Sequence, residues 1–430
     1  MKSARLCIAL AVILSPCVFP GPASSEPKQA RLFQAGKFTE AGKLYAGMVA
    51  QDPQDYSVIL QLGRIALLSN RLDDAQKWLE QAIALNSDDA DAKIMLAEAY
   101  YRRDDFQKAA AALDGVEVST NQLIISQYPT LNVAKLQSFK GQTPYDVQGS
   151  GQTTHLKFVK TEPLPLVSVR VNGGDEVTLF IDTGGSEVAL DTDFAQELGL
   201  PQFGKVQGTF SGGEHADVQQ SRIESLTVSN WTIKNLPAVT MPLRQLSEGF
   251  GVKRIDGIIG TTLFYHFLAT LDYPQGKLVL RRKTAQSLEQ FAAESAGKSV
   301  AVPFWIASDH FMVGWGRVET LPPALLFVDS GLAGARVKLA EPVIKEAGIK
   351  LEDDKAYEGA GGGGKLKIVP YTVHQLSFGD IREDNVPGLY DGPFPWENMF
   401  GFNLAGMVGH DFFKPYGVTF DFEHMQILLK

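Results

Sequence analysis

The stretch Leu179-Phe180-Ile181-Asp182-Thr183-Gly184 decides the fold, because it returns 147 residues later as Leu326-Phe327-Val328-Asp329-Ser330-Gly331. In each copy an apolar run, typical of a buried strand, ends in an aspartate. A buried carboxylate is costly unless it is hydrogen-bonded or functional, so this placement is informative. One Asp-Ser-Gly alone is a common turn sequence. The same pattern after the same kind of strand, found twice, indicates a duplicated unit.

Two further landmarks repeat in the same order. Ile258-Ile259-Gly260 parallels Met407-Val408-Gly409 at an offset of 149, and the apolar positions around Leu226 parallel those around Leu376 at an offset of 150. Short alternating runs, typical of strands, fill both copies. We therefore predict two copies of one β lobe, joined by a helical linker. The predicted ranges are 163–283 for the first lobe, 284–299 for the linker and 300–430 for the second lobe.

A different repeat occupies the N-terminal part of the chain. Gly36–Ala41, Asn70–Ala75 and Asp104–Ala109 recur at a spacing of 34. This period, and the alanine that closes each segment, resemble tetratricopeptide repeats, which are pairs of antiparallel helices. A plain helical bundle is the alternative. We predict repeats over 26–116, with a shortened leading helix in the first unit, and a mixed connector over 117–162.

The first residues have the pattern of an export signal. Lys2 and Arg5 precede an apolar stretch at 6–19, and small residues follow it. The stretch is shorter than the ~20 residues that a membrane span needs. We predict a signal peptide at 1–25 and an exported protein, either periplasmic or secreted.

Both cysteines, Cys7 and Cys17, lie in that segment. Its cleavage would leave a chain without thiols, which suits an oxidising compartment but offers no disulfide framework. Pro16 stands where a lipoprotein signal has a small residue, so a lipid anchor is not expected.

Composition excludes several functions. The chain has 44% hydrophobic and 21% charged residues, which is ordinary for globular domains, and a net charge of −9 without a long basic run. Nucleic acid is therefore not an expected partner, because phosphate binding needs clustered Lys and Arg. No segment after the signal holds an apolar run of membrane length, so no membrane span is expected. The histidines are scattered and no His-Glu-x-x-His occurs, so we predict no metal site and no cofactor.

The duplicated aspartate loops and the apolar-apolar-Gly segments together resemble aspartic proteases of the pepsin and retropepsin group. The resemblance covers about 163–430. It implies a multidomain chain in which all-α tetratricopeptide hairpins precede a bilobal all-β protease, with Asp182 and Asp329 as its catalytic pair. The residues that it implies as support for the active-site loops are Thr183, Gly184, Ser330 and Gly331.

The chemistry of such a site explains why the unit is duplicated. Two carboxyl groups held close together cannot both ionise, so they share one proton. The ionised member takes a proton from a bound water, which attacks the peptide carbonyl, while the protonated member stabilises the developing oxyanion. Because one chain supplies both lobes, we expect a monomeric endopeptidase that acts on proteins or peptides without a cofactor.

Each copy also has a glycine-rich stretch about 30 residues after its aspartate, at Gly208–Gly213 and Gly359–Gly364. Proteases of this group place a mobile hairpin, the flap, over the cleft at a comparable position, and glycines allow such a hairpin to move. An ordinary flexible hairpin tip is the alternative. Two glycine-rich tips resemble the two-flap retropepsin dimer fused into one chain. The flap candidates are Gly212, Gly213, Gly361 and Gly362.

The residue after each aspartate loop is Gly185 in one copy and Leu332 in the other. Members of the group that work in strong acid often have Ser or Thr there, and a hydroxyl donor lowers the pKa of a neighbouring carboxyl. Since neither copy has a hydroxyl, we predict an activity optimum in the mildly acidic to neutral range.

Other functions stay open at this point. The chain could be an inactive scaffold or peptide-binding protein with a protease fold, although a scaffold has no need of two unpaired carboxylates. It could also be a zymogen whose repeats block the cleft. The repeats themselves could bind the substrate or another protein, or serve only as a spacer.

Overall fold

The computed structural model describes residues 26–118, 120–209, 215–361, 364–394, 396–397 and 399–430. The predicted signal peptide at 1–25 lies outside these ranges. The helices are α1 Lys28–Gln34, α2 Phe38–Gln51, α3 Tyr56–Leu68, α4 Leu72–Leu85, α5 Ala90–Tyr101, α6 Phe106–Ala112, α7 Gln122–Gln127, α8 Val133–Gln137, α9 Thr192–Glu197, α10 Ser247–Phe250, α11 Thr261–Tyr265, α12 Ala285–Ser295, α13 Glu341–Glu346 and α14 His410–Phe413.

The strands follow the first eight helices and fill the rest of the chain. They are β1 Asp146–Gln148, β2 Thr153–Lys160, β3 Leu166–Val171, β4 Glu176–Ile181, β5 Val188–Asp191, β6 Lys205–Thr209, β7 His215–Val228, β8 Trp231–Met241, β9 Gly257–Ile259, β10 Leu268–Asp272, β11 Lys277–Arg281, β12 Val300–Ala307, β13 Phe311–Val318, β14 Ala324–Asp329, β15 Val337–Leu339, β16 Tyr357–Gly361, β17 Gly364–Phe378, β18 Ile381–Tyr390, β19 Leu404–Gly409, β20 Gly417–Asp421 and β21 Gln426–Leu429. The predicted fold class, helical repeats followed by a β-rich region, is confirmed.

The 34-residue repeat builds three helical hairpins, α1–α2, α3–α4 and α5–α6. The turn inside each hairpin contains a left-handed residue at the same repeat position: Gly36 (φ 73°), Asn70 (φ 53°) and Asp104 (φ 61°). Gly, Asn and Asp are the residue types that adopt this conformation most readily. The first helix has 7 residues against 13 in α3, so the leading helix of the first unit is short, as predicted.

Small residues allow the helices to approach each other closely. The alanines that close the three repeated segments are all fully buried, and these are Ala41, Ala75 and Ala109. A β-carbon added to Gly63 in α3 would lie 2.7 Å from the side chain of Leu79 in α4. The repeat therefore encodes the packing of its hairpins as well as their turns.

The β region contains one arrangement twice. Each strand from β2 to β11 has a counterpart, in the same order, from β12 to β21. In the first copy Leu166 pairs with Phe180, and in the second Val313 pairs with Phe327, which are the same positions at an offset of 147. The two lobes, which the sequence predicts to be copies, therefore also share the register in which their strands pair.

A six-stranded sheet joins the two lobes, in the order β2-β11-β10-β20-β21-β12. Its centre is the antiparallel pair β10–β20, where the Thr270 and Thr419 hydroxyls lie 2.7 Å apart. Strand β2 thus completes the first lobe as β12 completes the second, although it lies within the range 117–162 predicted as a connector. The same range also contains α7, α8 and β1. Alternate residues of β2 face solvent, and glycines and serines precede it, which made it resemble a linker.

The helical region packs against both lobes. Phe38 of α2 contacts Phe402 and Trp305 of the second lobe edge-on, with ring centroids 4.9 and 5.5 Å apart. On the other side, the Asn132 amide before α8 donates a hydrogen bond to the Phe203 carbonyl of the first lobe (3.1 Å). None of the helices in the described ranges is long and apolar enough to cross a membrane.

Candidate active site

The two aspartate loops are supported by the apolar-apolar-Gly segments. Strand β4 runs parallel to β9, and β14 runs parallel to β19, so each aspartate lies at the C-terminal end of a strand buried between neighbours. The Asp182 amide donates to the Ile259 carbonyl (3.1 Å). A β-carbon on Gly260 would overlap the backbone of Ser186 and Glu187, so only glycine permits this approach.

Reciprocal hydrogen bonds connect the two loops. The Thr183 amide donates to the Ser330 hydroxyl oxygen (3.0 Å), and the Ser330 amide donates to the Thr183 hydroxyl oxygen (2.9 Å). The Thr183 hydroxyl in turn donates to the Val328 carbonyl (3.1 Å). Both hydroxyl residues are almost completely buried. Because neither loop can move without breaking bonds to the other, the distance between the aspartates is fixed.

The carboxyl groups meet at the centre of this arrangement. The Gly184 amide donates to Asp182 Oδ1 and the Gly331 amide donates to Asp329 Oδ1, both at 2.7 Å. A β-carbon on Gly331 would overlap the Asp182 carboxyl group, and one on Gly184 would lie 2.7 Å from Asp329 Oδ1. Each glycine therefore packs against the carboxyl group of the opposite loop, and the two aspartate side chains lie within hydrogen-bonding reach. Both aspartates keep part of their surface open to solvent.

The two carboxyl groups differ in their affinity for a proton. Burial raises the pKa of Asp329 well above its usual range, and the negative charge of Asp182 raises it further. Burial also raises the pKa of Asp182, but the hydrogen bond with Asp329, the Gly184 amide and the charge of His310 oppose the rise. The pair therefore shares one proton and keeps it to higher pH than an isolated carboxyl group would.

His310 is a neighbour of the pair that the sequence analysis missed. It ends the turn between β12 and β13, and its Nε2 lies 3.0 Å from the Gly184 carbonyl oxygen. The duplication of the lobes could have drawn attention to His310, since His310 lies 147 residues after Pro163, and the same offset relates the two aspartates. A proline at one site and a histidine at its counterpart mark a position where the duplicated lobes differ.

The glycine-rich stretches lie in long hairpins. Strand β6 pairs with β7, and β16 pairs with β17. Gly361 ends β16 and pairs with Gly364 across the second hairpin. The other flap candidates, Gly212, Gly213 and Gly362, lie outside the described residues.

One group of described residues has donor atoms close enough for a metal ion. Glu162, His410 and Asp411 place three such atoms within 4.8 Å of one another. Burial lowers the pKa of His410 to about 4, so its imidazole is neutral at physiological pH. The Lys414 ammonium, however, already lies 2.7 Å from Glu162 and pairs with Asp411. The lysine thus supplies the positive charge that a metal ion would bring, so these three side chains do not favour a metal.

Comparisons with known proteins agree with this division of the chain. Residues 167–263 match the family model described as aspartyl protease, and residues 32–84 and 60–122 match two tetratricopeptide repeat models. The chain thus combines tetratricopeptide repeats with an aspartyl protease region, and both predicted resemblances are confirmed. The aspartyl protease match lies within the first lobe.

Two solved structures illustrate these similarities. The crystal structure of MamA is 19% identical, with a TM-score of 0.24, and the match covers 28% of this chain and 68% of that one. A retropepsin-like aspartic protease from Rickettsia conorii is 15% identical, with a TM-score of 0.21, and the match covers 32% of this chain and 94% of that one. No curated protein matches the chain significantly.

Proposed function

We propose that this protein is an aspartic endopeptidase in which Asp182 and Asp329 activate a water molecule. The observation that carries the proposal is the meeting of two carboxyl groups, one from each lobe, at loops locked together by Thr183 and Ser330. The partial exposure of both aspartates gives a water and a substrate access to them. The aspartyl protease match over the first lobe supports the same reaction class.

We assign the role of base to Asp182, because His310 contacts the loop of Asp182 and not that of Asp329. Ionised Asp182 accepts a proton from the attacking water, and protonated Asp329 donates a hydrogen bond to the carbonyl oxygen as negative charge develops on it. The tetrahedral intermediate then collapses when a proton passes to the leaving amine, and the single shared proton is restored. The water is the only co-reactant, so the reaction needs no cofactor.

The substrate that this arrangement favours is an extended peptide between the two lobes. Two long hairpins, β6–β7 and β16–β17, follow the aspartate loops in the same place in each lobe, as flaps would. For the helical region we propose a role in docking a protein, because stacked repeats form extended binding surfaces.

The decisive experiment is cleavage of a mixed peptide library by purified residues 26–430, read by mass spectrometry between pH 4 and 8. We expect cleavage with an optimum in the mildly acidic to neutral range. Asp182→Asn and Asp329→Asn keep the shape of the side chains but remove one half of the shared-proton system, and each should lower the rate by about 10³-fold or more. Equal cleavage by either variant, or peptide binding without cleavage by the unmodified protein, would rule the proposal out.

We also propose that the enzyme acts after export, as the pattern of Lys2, Arg5 and the apolar stretch 6–19 indicates. N-terminal sequencing of protein recovered from the cells that make it checks this. A first residue near 26 is expected, and a chain that retains 1–25 would contradict it.

A further inference from the structure

The turn that carries His310 is unusual because it is buried. Ser308, Asp309 and His310 connect β12 to β13 and are only 5, 7 and 8% exposed. Hairpin turns normally lie on the surface, where water satisfies their polar groups. Here protein groups take the place of water: Arg102 of the helical region bonds the Ser308 carbonyl, and Ser186 and Gly184 of the first lobe contact Asp309 and His310.

Arg102, which follows α5, is the residue that holds this turn. Its guanidinium donates to the Ser308 carbonyl and, at 2.9 Å, to the Leu67 carbonyl of α3. It also forms a buried ion pair with Glu98 (2.5 Å). The repeats therefore fix the position of the turn through a rigid, fully bonded arginine.

His310 has hydrogen-bond acceptors on both sides of its ring. Nδ1 contacts Asp309 Oδ1, and Nε2 lies 3.0 Å from the Gly184 carbonyl oxygen. Burial opposes the charge of Asp309, but a charged His310 and hydrogen bonds from His310 and Ser186 lower the pKa of Asp309 below its usual range. A carboxylate and a carbonyl can only accept, so both contacts are hydrogen bonds when both ring nitrogens of His310 carry a proton, that is, in the cationic form of the ring.

The second lobe alone provides such a cation. Pro163, which lies 147 residues before His310, has no side-chain proton to donate. Within the described residues, no side chain donates a hydrogen bond to the carbonyl of Gly331, the counterpart of Gly184. The pseudo-symmetry of the catalytic pair is thus broken at one place, beside Asp182.

We propose that His310 is a positioning residue that makes the catalytic pair asymmetric: its cation holds the Asp182 loop through the Gly184 carbonyl and keeps Asp182 as the ionised member. The helical region is then part of the catalytic unit, because Arg102 holds the turn that presents His310. This inference rests on the proposed function and deepens it, since it names the residue that keeps Asp182 as the base and Asp329 as the acid.

Other titratable or charged groups line a small cavity next to His310. These are Tyr101, Arg102, Asp104, Tyr145, Tyr265 and His266. The three tyrosines stay neutral because burial raises the pKa of each. Arg102 is paired with Glu98, and Asp104 is paired with His266 (2.9 Å). Two buried carboxyl groups of neighbouring elements also interact with Asp309: burial raises the pKa of Glu98 to about 8 and raises that of Glu187. Asp309 and Asp182 are the groups that interact with His310 itself.

The test is the pH–rate profile of His310→Gln, which keeps a donor near the Gly184 carbonyl but removes the charge. Without the cation the pKa of Asp182 rises, so the acidic limb of kcat/KM should move upward by about one pH unit. His374→Gln is the matched control, because His374 is an exposed histidine on β17 of the same lobe, and its profile should not move. His310→Ala also removes the hydrogen bond and should lower kcat further. Identical profiles for His310→Gln and the unmodified protein would overturn the proposal.

A second measurement does not depend on activity. In protein labelled with ¹³C at the aspartate carboxyl carbons, the signal missing from Asp182→Asn belongs to Asp182. Its titration midpoint should be higher in His310→Gln than in the unmodified protein, whereas an unchanged midpoint would sink the inference. If the midpoint moves but no peptide is cleaved, the proposed function fails while the role of His310 stands.

Discussion

Asp329 carries a cost in stability that the proposed catalytic role would explain. Its raised pKa means that the folded protein binds this proton more tightly than the unfolded chain does. Between the unfolded pKa of about 4 and the raised folded value, the folded state holds more protons, so the free energy of unfolding falls as pH rises through that window. A residue that served only the fold would not keep such a liability.

Replacing this residue therefore has opposite effects on activity and stability. Asp329→Asn cannot titrate, so its melting temperature should match that of the unmodified protein near pH 4 and exceed it by about 2 °C or more at pH 8. Melting curves at pH 4, 6 and 8 measure this difference. Asp354→Asn, at an exposed position, should show no such trend. A difference independent of pH would mean that Asp329 is not the proton-holding member.

At the scale of single residues, the sequence predicted the site residues that occur in both lobes and missed His310, which occurs in one lobe only. Asp182 and Asp329 could be found because each follows the same strand and precedes the same tight turn. His310 could not be found in this way, since its contact with Gly184 joins residues 126 apart and depends on a turn that helices bury. Its only trace in the sequence is the mismatch with Pro163.

At the scale of elements, one buried ion pair connects a helix to the loop that follows Asp182. The Lys135 ammonium of α8 lies 2.7 Å from the Glu187 carboxylate, and both side chains are fully buried. Glu187 lies a few residues after Asp182, and it also accepts a hydrogen bond from the Tyr101 hydroxyl (2.6 Å). Each partner neutralises a charge that would otherwise be buried without a counter-charge.

Breaking this pair on one side should be severe. Lys135→Met leaves the Glu187 charge buried without a partner, and we expect a loss of about 3 to 5 kcal/mol in the free energy of unfolding. The double variant Lys135→Met with Glu187→Gln leaves a neutral amide that still accepts from Tyr101, so it should lose clearly less. Urea unfolding of the three proteins compares them. Equal losses in the single and double variants would show that packing, not the charge, dominates at this site.

Elements with a strong period were predictable, and those without one were not. The helical hairpins follow from the left-handed residues Gly36, Asn70 and Asp104, and the paired lobes follow from the offset of 147. Strand β2 has no full apolar run, and the residues around it do not set it apart from a connector. Only its pairing with β11 and β3 shows that it belongs to the first lobe. Long-range pairing of this kind is invisible to a local pattern.

At the scale of the whole molecule, the helices and the second lobe share one apolar core. Phe33 and Phe38 from the helical region pack in one cluster with Phe311, Phe400 and Phe402 of the second lobe. A β-carbon on Gly36 would come 2.5 Å from the Leu325 side chain, so the turn between α1 and α2 packs directly against β14. Separation of the two parts would expose large aromatic side chains to water, which costs about 25 cal/mol for each Å² of apolar surface.

The shared core bears on whether the repeats are an independent module or an integral part of the fold. An unfolding experiment distinguishes these two views. A docking module joined by a linker would melt on its own, whereas a helical region that completes the core and holds His310 should unfold together with the lobes. Helical circular dichroism reports mainly on the repeats, and tryptophan fluorescence reports mainly on the lobes, because four of the five tryptophans lie there. We expect the two probes to give one coincident transition in urea.

The control for this experiment is a variant that weakens the contact between the two parts. Phe38→Ala removes a fully buried ring that contacts Trp305 and Phe402, and it should lower the transition midpoint for both probes by the same amount. If the helical signal alone moved, or if the unmodified protein showed two transitions, the repeats would be an independent module. The turn at Ser308–His310 would then have to keep its place beside Asp182 without them.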